Sequence, residues 1–122
     1  MHELSIAMGI VDGAAETARD YPGQRVEIVH LILGELSGVV KEALMFSYEL
    51  ACAHTPLEGS RLQIEEVKAA IHCDECGVDE EVRSIQDMRC SICSRPSPNV
   101  VRGRELMIES LELSDEYAAA VS

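Results

Sequence analysis

The sequence predicts an α+β fold: two helices and a three-stranded sheet forming a base, with a small four-cysteine zinc ribbon inserted into it. Three observations carry this reading. Helical and strand periodicities alternate along the chain. Two matched cysteine pairs, Cys73-Asp74-Glu75-Cys76 and Cys90-Ser91-Ile92-Cys93, fall between the last two strand-like segments. The length of 122 residues suffices for one modest core plus a metal-stapled appendage.

The elements follow in order. From Glu3 to about Asp20, Leu4, Met8, Val11, Ala15 and Ala18 recur at helical spacing and make one apolar stripe. Tyr21-Pro22-Gly23 ends that helix. Arg25 to Leu33 reads as a strand with apolar residues on both faces, hence a central one. Gly34-Glu35-Leu36-Ser37-Gly38 breaks it, and Ser37 can cap a second helix from about Val40 to His54. In that helix Leu44, Tyr48 and Ala51 share a stripe, with Val40, Phe46 and Leu50 beside it. Thr55 to Gly59 closes it. Leu62, Ile64 and Val67 mark a second strand, expected to run directly into His72-Cys73.

A turn-rich exit, Ser94 to Asn99, follows the last cysteine. The third strand runs from Arg104 to about Leu113. Leu106 and Ile108 lie on one face and Leu111 and Leu113 on the other, a parity switch that indicates a bulge or a change of partner. Ser114 to Ser122 has weak patterning and reads as a mobile tail or loose helix. The resulting division is a base of residues 1–70 and 101–122 and a ribbon of residues 71–100.

The cysteine spacing is C-x2-C-x13-C-x2-C. Two residues between thiols let one tight turn present both sulfurs to one ion, and a second turn completes a tetrahedron. Zinc suits four soft thiolates in a closed site; a single iron is also compatible. Disulfides fit less well, because the chain opens Met-His-Glu without a secretory signal and holds an odd five cysteines. A redox Cys-x-x-Cys needs one such motif, not two at ribbon spacing. The fifth, Cys52, reads as a small core residue.

Net charge is −12, so phosphate would repel this ribbon, and nucleic-acid roles are disfavoured. The basic cluster Arg95, Arg102 and Arg104 is thin, and three tyrosines and one phenylalanine provide no stacking platform. No apolar run approaches the ~20 residues that span a bilayer. The expected setting is cytoplasmic, as a monomer or weak homodimer.

At the chain start, Met1-His2-Glu3 forms a chelate sequence. His2 is bulky, so Met1 is expected to be retained. The α-amine, the His2 backbone and imidazole nitrogens, and the Glu3 backbone nitrogen or carboxylate then lie within reach of one ion. Square-planar nitrogen donors suit Ni(II) or Cu(II). The bland alternative is a surface histidine at a frayed end, with Glu3 serving only the helix dipole. Of the remaining histidines, His72 abuts Cys73 and could exchange with a thiolate, although an exposed strand-end residue is the simpler reading. His30 reads as a hydrogen-bonded core or edge residue, and His54 as a helix-end residue. Glu35 and Glu42 fit either a docking surface or a solvated face.

Taken together, the chain resembles the HypA/HybF family of nickel metallochaperones of [NiFe]-hydrogenase maturation. The resemblance rests on Met1-His2-Glu3-Leu4-Ser5, on Ile32 to Val39 followed by Glu42-Ala43-Leu44 and Phe46, on Leu62 to Val67 leading into the paired cysteines, and on Gly103-Arg104-Glu105-Leu106 with Ile108 and Glu112. It implies nickel ligation by His2 with Met1 and Glu3, structural zinc on Cys73, Cys76, Cys90 and Cys93, and no enzymatic activity. It further implies the GTPase HypB and the hydrogenase large-subunit precursor as partners, with some members serving urease. Two departures stand out: Ser94 follows the last cysteine where glycine is common, and Phe46-Ser47-Tyr48-Glu49 is less apolar than the family stretch. The rival reading from residues alone is a zinc-ribbon adaptor between proteins, with no nickel role.

Overall fold

Strand β1 (Gln24–Gly34) alternates little because it is covered on both sides: Val26, Val29, Leu31 and Leu33 are all buried. It is the middle strand of a sheet ordered β2-β1-β6, where β2 is Arg61–Val67 and β6 is Leu106–Asp115. Helices α1 (Glu3–Ala18) and α2 (Lys41–Cys52) pack on each other beside it. A second sheet, β4-β3-β5, consists of Val78–Glu81, Ala70–Cys73 and Val100–Arg102. The computed structural model describes residues 3–115. The predicted class, α+β with a small cysteine ribbon set between two strands of the main sheet, is the observed one.

The described residues form two compact units. The first takes in Val39–Ile64 with the described parts of Met1–Leu31 and Ile108–Ser122; the second is Ile32–Gly38 with Glu65–Met107. In the first, α1 buries Ala7, Ile10, Val11 and Ala14, an i, i+3, i+4, i+7 set. This corrects the expected stripe: Leu4 and Met8 are 45% and 53% exposed. The buried face is centred on Ala7 and Ala14, and Leu4 and Met8 lie to one side of it on the helical wheel. Helix α2 buries Leu44, Tyr48 and Cys52, as its periodicity indicates.

The start of α2 is a second correction. Its N-cap residue is Val40, with no side-chain cap bond. The Ser37 N–H instead donates to the Gly34 carbonyl, closing a turn upstream. The Tyr48 and Ser60 hydroxyls are partnered in this core, whereas Ser114 Oγ on β6 is buried without a partner. Ser60 Oγ donates to the Leu57 carbonyl at 2.6 Å, and Tyr48 Oη lies 2.7 Å from Ser60 Oγ. Burial pushes the Tyr48 phenol well above its ordinary value. His30 pairs with Glu112 across the sheet, as a hydrogen-bonded strand residue. Along β6, Ile108, Leu111 and Leu113 pack on the core, so the parity switch is present in the burial pattern. Ser114 and Asp115 complete that strand; the rest of the predicted tail, residues 116–122, lies outside the described residues.

In the second unit, β2 does not run into Cys73. Val67 ends it, and β3 begins anew in the other sheet. Strand β3 pairs antiparallel with β4 (Cys73 opposite Val78) and with β5. Glu35 is bound on both sides: its N–H donates to the Val67 carbonyl and its carboxylate accepts the Ala69 N–H, each at 2.8 Å. This gives Glu35, which remains exposed, a structural task beside the docking or solvated reading. Close backbone packing surrounds it. A Cβ on Gly34 would meet the Gly103 carbonyl oxygen at 2.2 Å, and Gly103 itself has φ +117 against Ala69.

Because backbone atoms cannot yield to that methyl group, Gly34→Ala should cost more than ~2 kcal/mol of stability. Chemical denaturation of the metal-loaded protein measures this; a loss under half that size would show that the contact relaxes.

Candidate metal centre

Each cysteine pair forms a tight knuckle with the same backbone bond. The Gly77 N–H donates to the Cys73 carbonyl at 2.7 Å, and the Ser94 N–H donates to the Cys90 carbonyl at 2.9 Å. The residue after each pair adopts the left-handed region, Gly77 at φ 66 and Ser94 at φ 61. The first knuckle has the residue that carries this conformation without cost. The second has a serine there, whose Cβ opposes it. The departure noted in the sequence is therefore a point of strain, and it leaves the thiols in place.

The four sulfurs of Cys73, Cys76, Cys90 and Cys93 all lie within 4.8 Å of one another. Cys73 Sγ is 3.6 Å from Cys93 Sγ, and Cys76 Sγ is 3.9 Å from Cys90 Sγ. A tetrahedron with ~2.3 Å metal–sulfur bonds has edges of about 3.8 Å, so the spacing fits a four-thiolate metal site. Cys73 and Cys90 are buried, while Cys76 and Cys93 are half-buried. All four corners come from protein, which leaves no open position for substrate.

Without metal, the thiols divide the ionisation unequally. N–H groups of Cys76 and Glu75 and the neighbouring thiols bring Cys73 down to about 7. Desolvation, reinforced by the adjacent sulfurs, pushes Cys76 up to about 12. At Cys93 the Arg95 N–H is the largest influence and lowers its value, but desolvation and the thiols of Cys73 and Cys90 outweigh it and the net shift is upward. One thiolate is thus ready near neutral pH, and Cys76 and Cys93 lose protons as the metal enters. Apparent metal affinity should therefore rise with pH.

Glu80, which nothing in the sequence singled out, holds the second knuckle. Its carboxylate accepts both the N–H and the hydroxyl of Ser91 at 2.5 Å, and these bonds lower its pKa. Only the fold joins these residues, since an acidic strand residue carries no mark of its partner. Ser97 Oγ donates to the His72 carbonyl at 2.5 Å and ties the exit loop to β3. His72 stands outside the sulfur group. Its Nδ1 is 2.6 Å from Asp79 Oδ1 and its Nε2 is 3.6 Å from Asp74 Oδ1.

Of the amino-terminal candidates, Met1 and His2 lie outside the described residues. Glu3 opens α1, and its Oε2 accepts a 3.5 Å hydrogen bond from the Val40 N–H at the start of α2. A glutamate three positions into a helix often bonds its own N-cap N–H; here the carboxylate comes from another helix.

Two outcomes follow from this geometry. Ser94→Gly should relieve about 1 kcal/mol of left-handed strain and slow metal loss to a chelator by about fivefold; unchanged loss would place no strain at Ser94. His72 is raised chiefly by its hydrogen bond to Asp79. Its pairing contributes stability fully below the ordinary value of 6.5 and loses it as pH rises through the folded value. Asp79→Asn should return the imidazole titration toward 6.5, read by NMR.

Known proteins match this arrangement along nearly the whole chain. The profile of a family described as "Hydrogenase/urease nickel incorporation, metallochaperone, hypA" matches residues 1–113. A hydrogenase maturation factor HypA of Roseiflexus sp. (strain RS-1) is 41% identical over 122 residues, covering 100% of this chain and 99% of its own. Its counterpart in Chloroflexus aurantiacus is 43% identical over 112 residues, covering 92% and 98%. The solution structure of the Ni metallochaperone HypA from Helicobacter pylori shares the fold at TM-score 0.64 and 23% identity, covering 93% of this chain and 97% of that one. A second solution structure of a HypA protein does so at 0.68 and 24%, covering 95% and 98%. With the profile spanning almost every residue and two relatives above 40% identity, the chain belongs to the HypA family of hydrogenase and urease nickel-incorporation metallochaperones, which are maturation factors and not enzymes.

Proposed function

We propose that this chain carries Ni(II) on Met1, His2 and Glu3 and delivers it to the [NiFe]-hydrogenase large-subunit precursor. Cys73, Cys76, Cys90 and Cys93 hold structural zinc. The cargo-bearing base is residues 1–70 with 101–122, and the ribbon, residues 71–100, serves as the recognition arm. The GTPase HypB acts with it in the cytoplasm, and urease maturation is a second destination open to the same chemistry.

The observation that carries this reading is where α1 begins. Glu3 lies in the first turn of α1. The first four N–H groups of a helix have no intrahelical acceptor. The Glu3 N–H can therefore be surrendered to a metal without breaking a helical bond. The amine, two backbone nitrogens and one imidazole make a planar nitrogen set suited to Ni(II). Such a site has few protein donors and open faces, so a recipient can attack the metal and take it by ligand exchange. The four-thiolate centre has the opposite property and keeps its ion. Zinc supplies a fixed tetrahedral node there, and the Glu80–Ser91 and Ser97–His72 bonds orient the knuckles around it.

Nickel titration of three forms of the full chain tests the proposal. The native-terminus protein should bind Ni(II) with proton release, and more tightly as pH rises. His2→Ala, and a form with extra residues ahead of Met1, should both lose the site while keeping zinc. Equal nickel binding by all three forms would refute the amino-terminal site and leave a zinc-ribbon adaptor as the better description.

A further inference from the structure

Helix α1 and strand β6 border a groove of about 740 Å³ that lies within the first unit. Small residues on the helix leave the space. Gly13 and Ala14 line it from α1, and a Cβ placed on Gly13 would meet Ile108 Cδ1 at 3.7 Å, an ordinary contact. Ile108, Leu111 and Leu113 line it from β6, and each is only half-buried, so apolar surface is left over once the core is packed. The Thr17 hydroxyl on the helix side donates to the Gly13 carbonyl at 3.1 Å, so its polar group is already satisfied. Glu109 and Ser110, at the parity switch of β6, are exposed at the rim.

The chain itself carries a segment of matching chemistry next to this groove. Strand β6 ends at Asp115, two positions past Leu113, and the sequence continues Glu116-Tyr117-Ala118-Ala119-Ala120-Val121-Ser122. Five consecutive apolar residues in a chain of net charge −12 call for a cover. Alanine is the best helix former, and Asp115 and Glu116 are residue types that favour a helix start. Tyr117 and Val121 are four apart and share a helix face. Seven helical residues span about 10 Å, within the roughly 17 Å that a strand covers from residue 108 to residue 113.

We propose that residues 116–122 fold back as a short helix into the groove between α1 and β6, with Tyr117 and Val121 against Ile108, Leu111 and Leu113. A helix this short forms only through such packing. Ser114 sits at the required reversal. Its Oγ is buried without a partner. In turns a serine hydroxyl accepts the N–H two residues on, here that of Glu116, which gives the buried oxygen a partner. The segment contains none of the proposed metal ligands, so the inference stands or falls independently of the nickel reading.

NMR of the full, zinc-loaded chain provides the test. Nuclear Overhauser contacts should run from the Tyr117 ring and the Val121 methyls to the methyls of Leu111 and Leu113, and should persist unchanged on dilution. Tyr117→Ser should remove them and speed amide exchange at Leu111 and Leu113 by about tenfold. Gly13→Leu, which fills the groove from α1 and leaves the segment intact, should release Tyr117 to random-coil shifts. Ala119→Glu, on the helix face opposite Tyr117 and Val121, should leave the contacts in place. Random-coil shifts for residues 116–122 in the wild type would overturn the proposal and leave the groove to another protein. Contacts that vanish on dilution would overturn it equally, since the segment would then come from a second copy. Contacts that survive Gly13→Leu would place the segment elsewhere and refute the groove as its site.

Discussion

Four sulfurs must converge on one point, and the ribbon has little else to hold it together. Its buried apolar residues are few and mostly small: Ala69, Ala70 and Ile71, beside Cys73 and Cys90 themselves. Its cross-knuckle ion pair, Arg95 with Glu75 at 3.1 Å, is well exposed on both sides and adds little. What remains is local geometry. Each knuckle is a chain reversal closed by one backbone bond and a left-handed residue. Together they place the thiols at the corners of a tetrahedron. Metal binding in such modules supplies roughly 10–16 kcal/mol, far more than these contacts can. The short strands of the β4-β3-β5 sheet inherit their order from that node.

The base works by the reverse principle. Its core is continuous, from the small residues of α1 through β1 to Leu44, Tyr48 and Cys52 of α2. Glu3 is at once the first residue of α1 and a carboxylate against the first N–H of α2.

Much of this was legible beforehand. The cysteine spacing, the two-sided apolar strand, the Leu44–Tyr48 stripe and the family motifs each follow from rules confined to a few neighbouring residues. The misreadings have a common cause. Hydrophobicity alone puts Leu4 and Met8 on the α1 stripe, whereas the buried positions are Ala7, Ile10, Val11 and Ala14. Ser37 resembled a cap, yet the loop turns earlier and leaves Val40 at the helix start. Glu35 is exposed, as a surface charge should be, and it also accepts the N–H of Ala69, thirty-four positions away, a partner that no local pattern marks. Glu80 could not be picked out from the many acidic residues around it.

By itself, the sequence determined which atoms were available: four thiols in two matched turns, and helices and strands in an order that inserts the ribbon into the sheet. Periodicity and spacing are local properties, and local properties survive in a one-dimensional text. The tertiary structure decided which of those atoms meet. It chose the buried face of α1, the partner of each acidic side chain, the left-handed strain at Ser94, and the contact between Glu3 and Val40. Those outcomes depend on distances between segments remote in the chain, which only close packing can set.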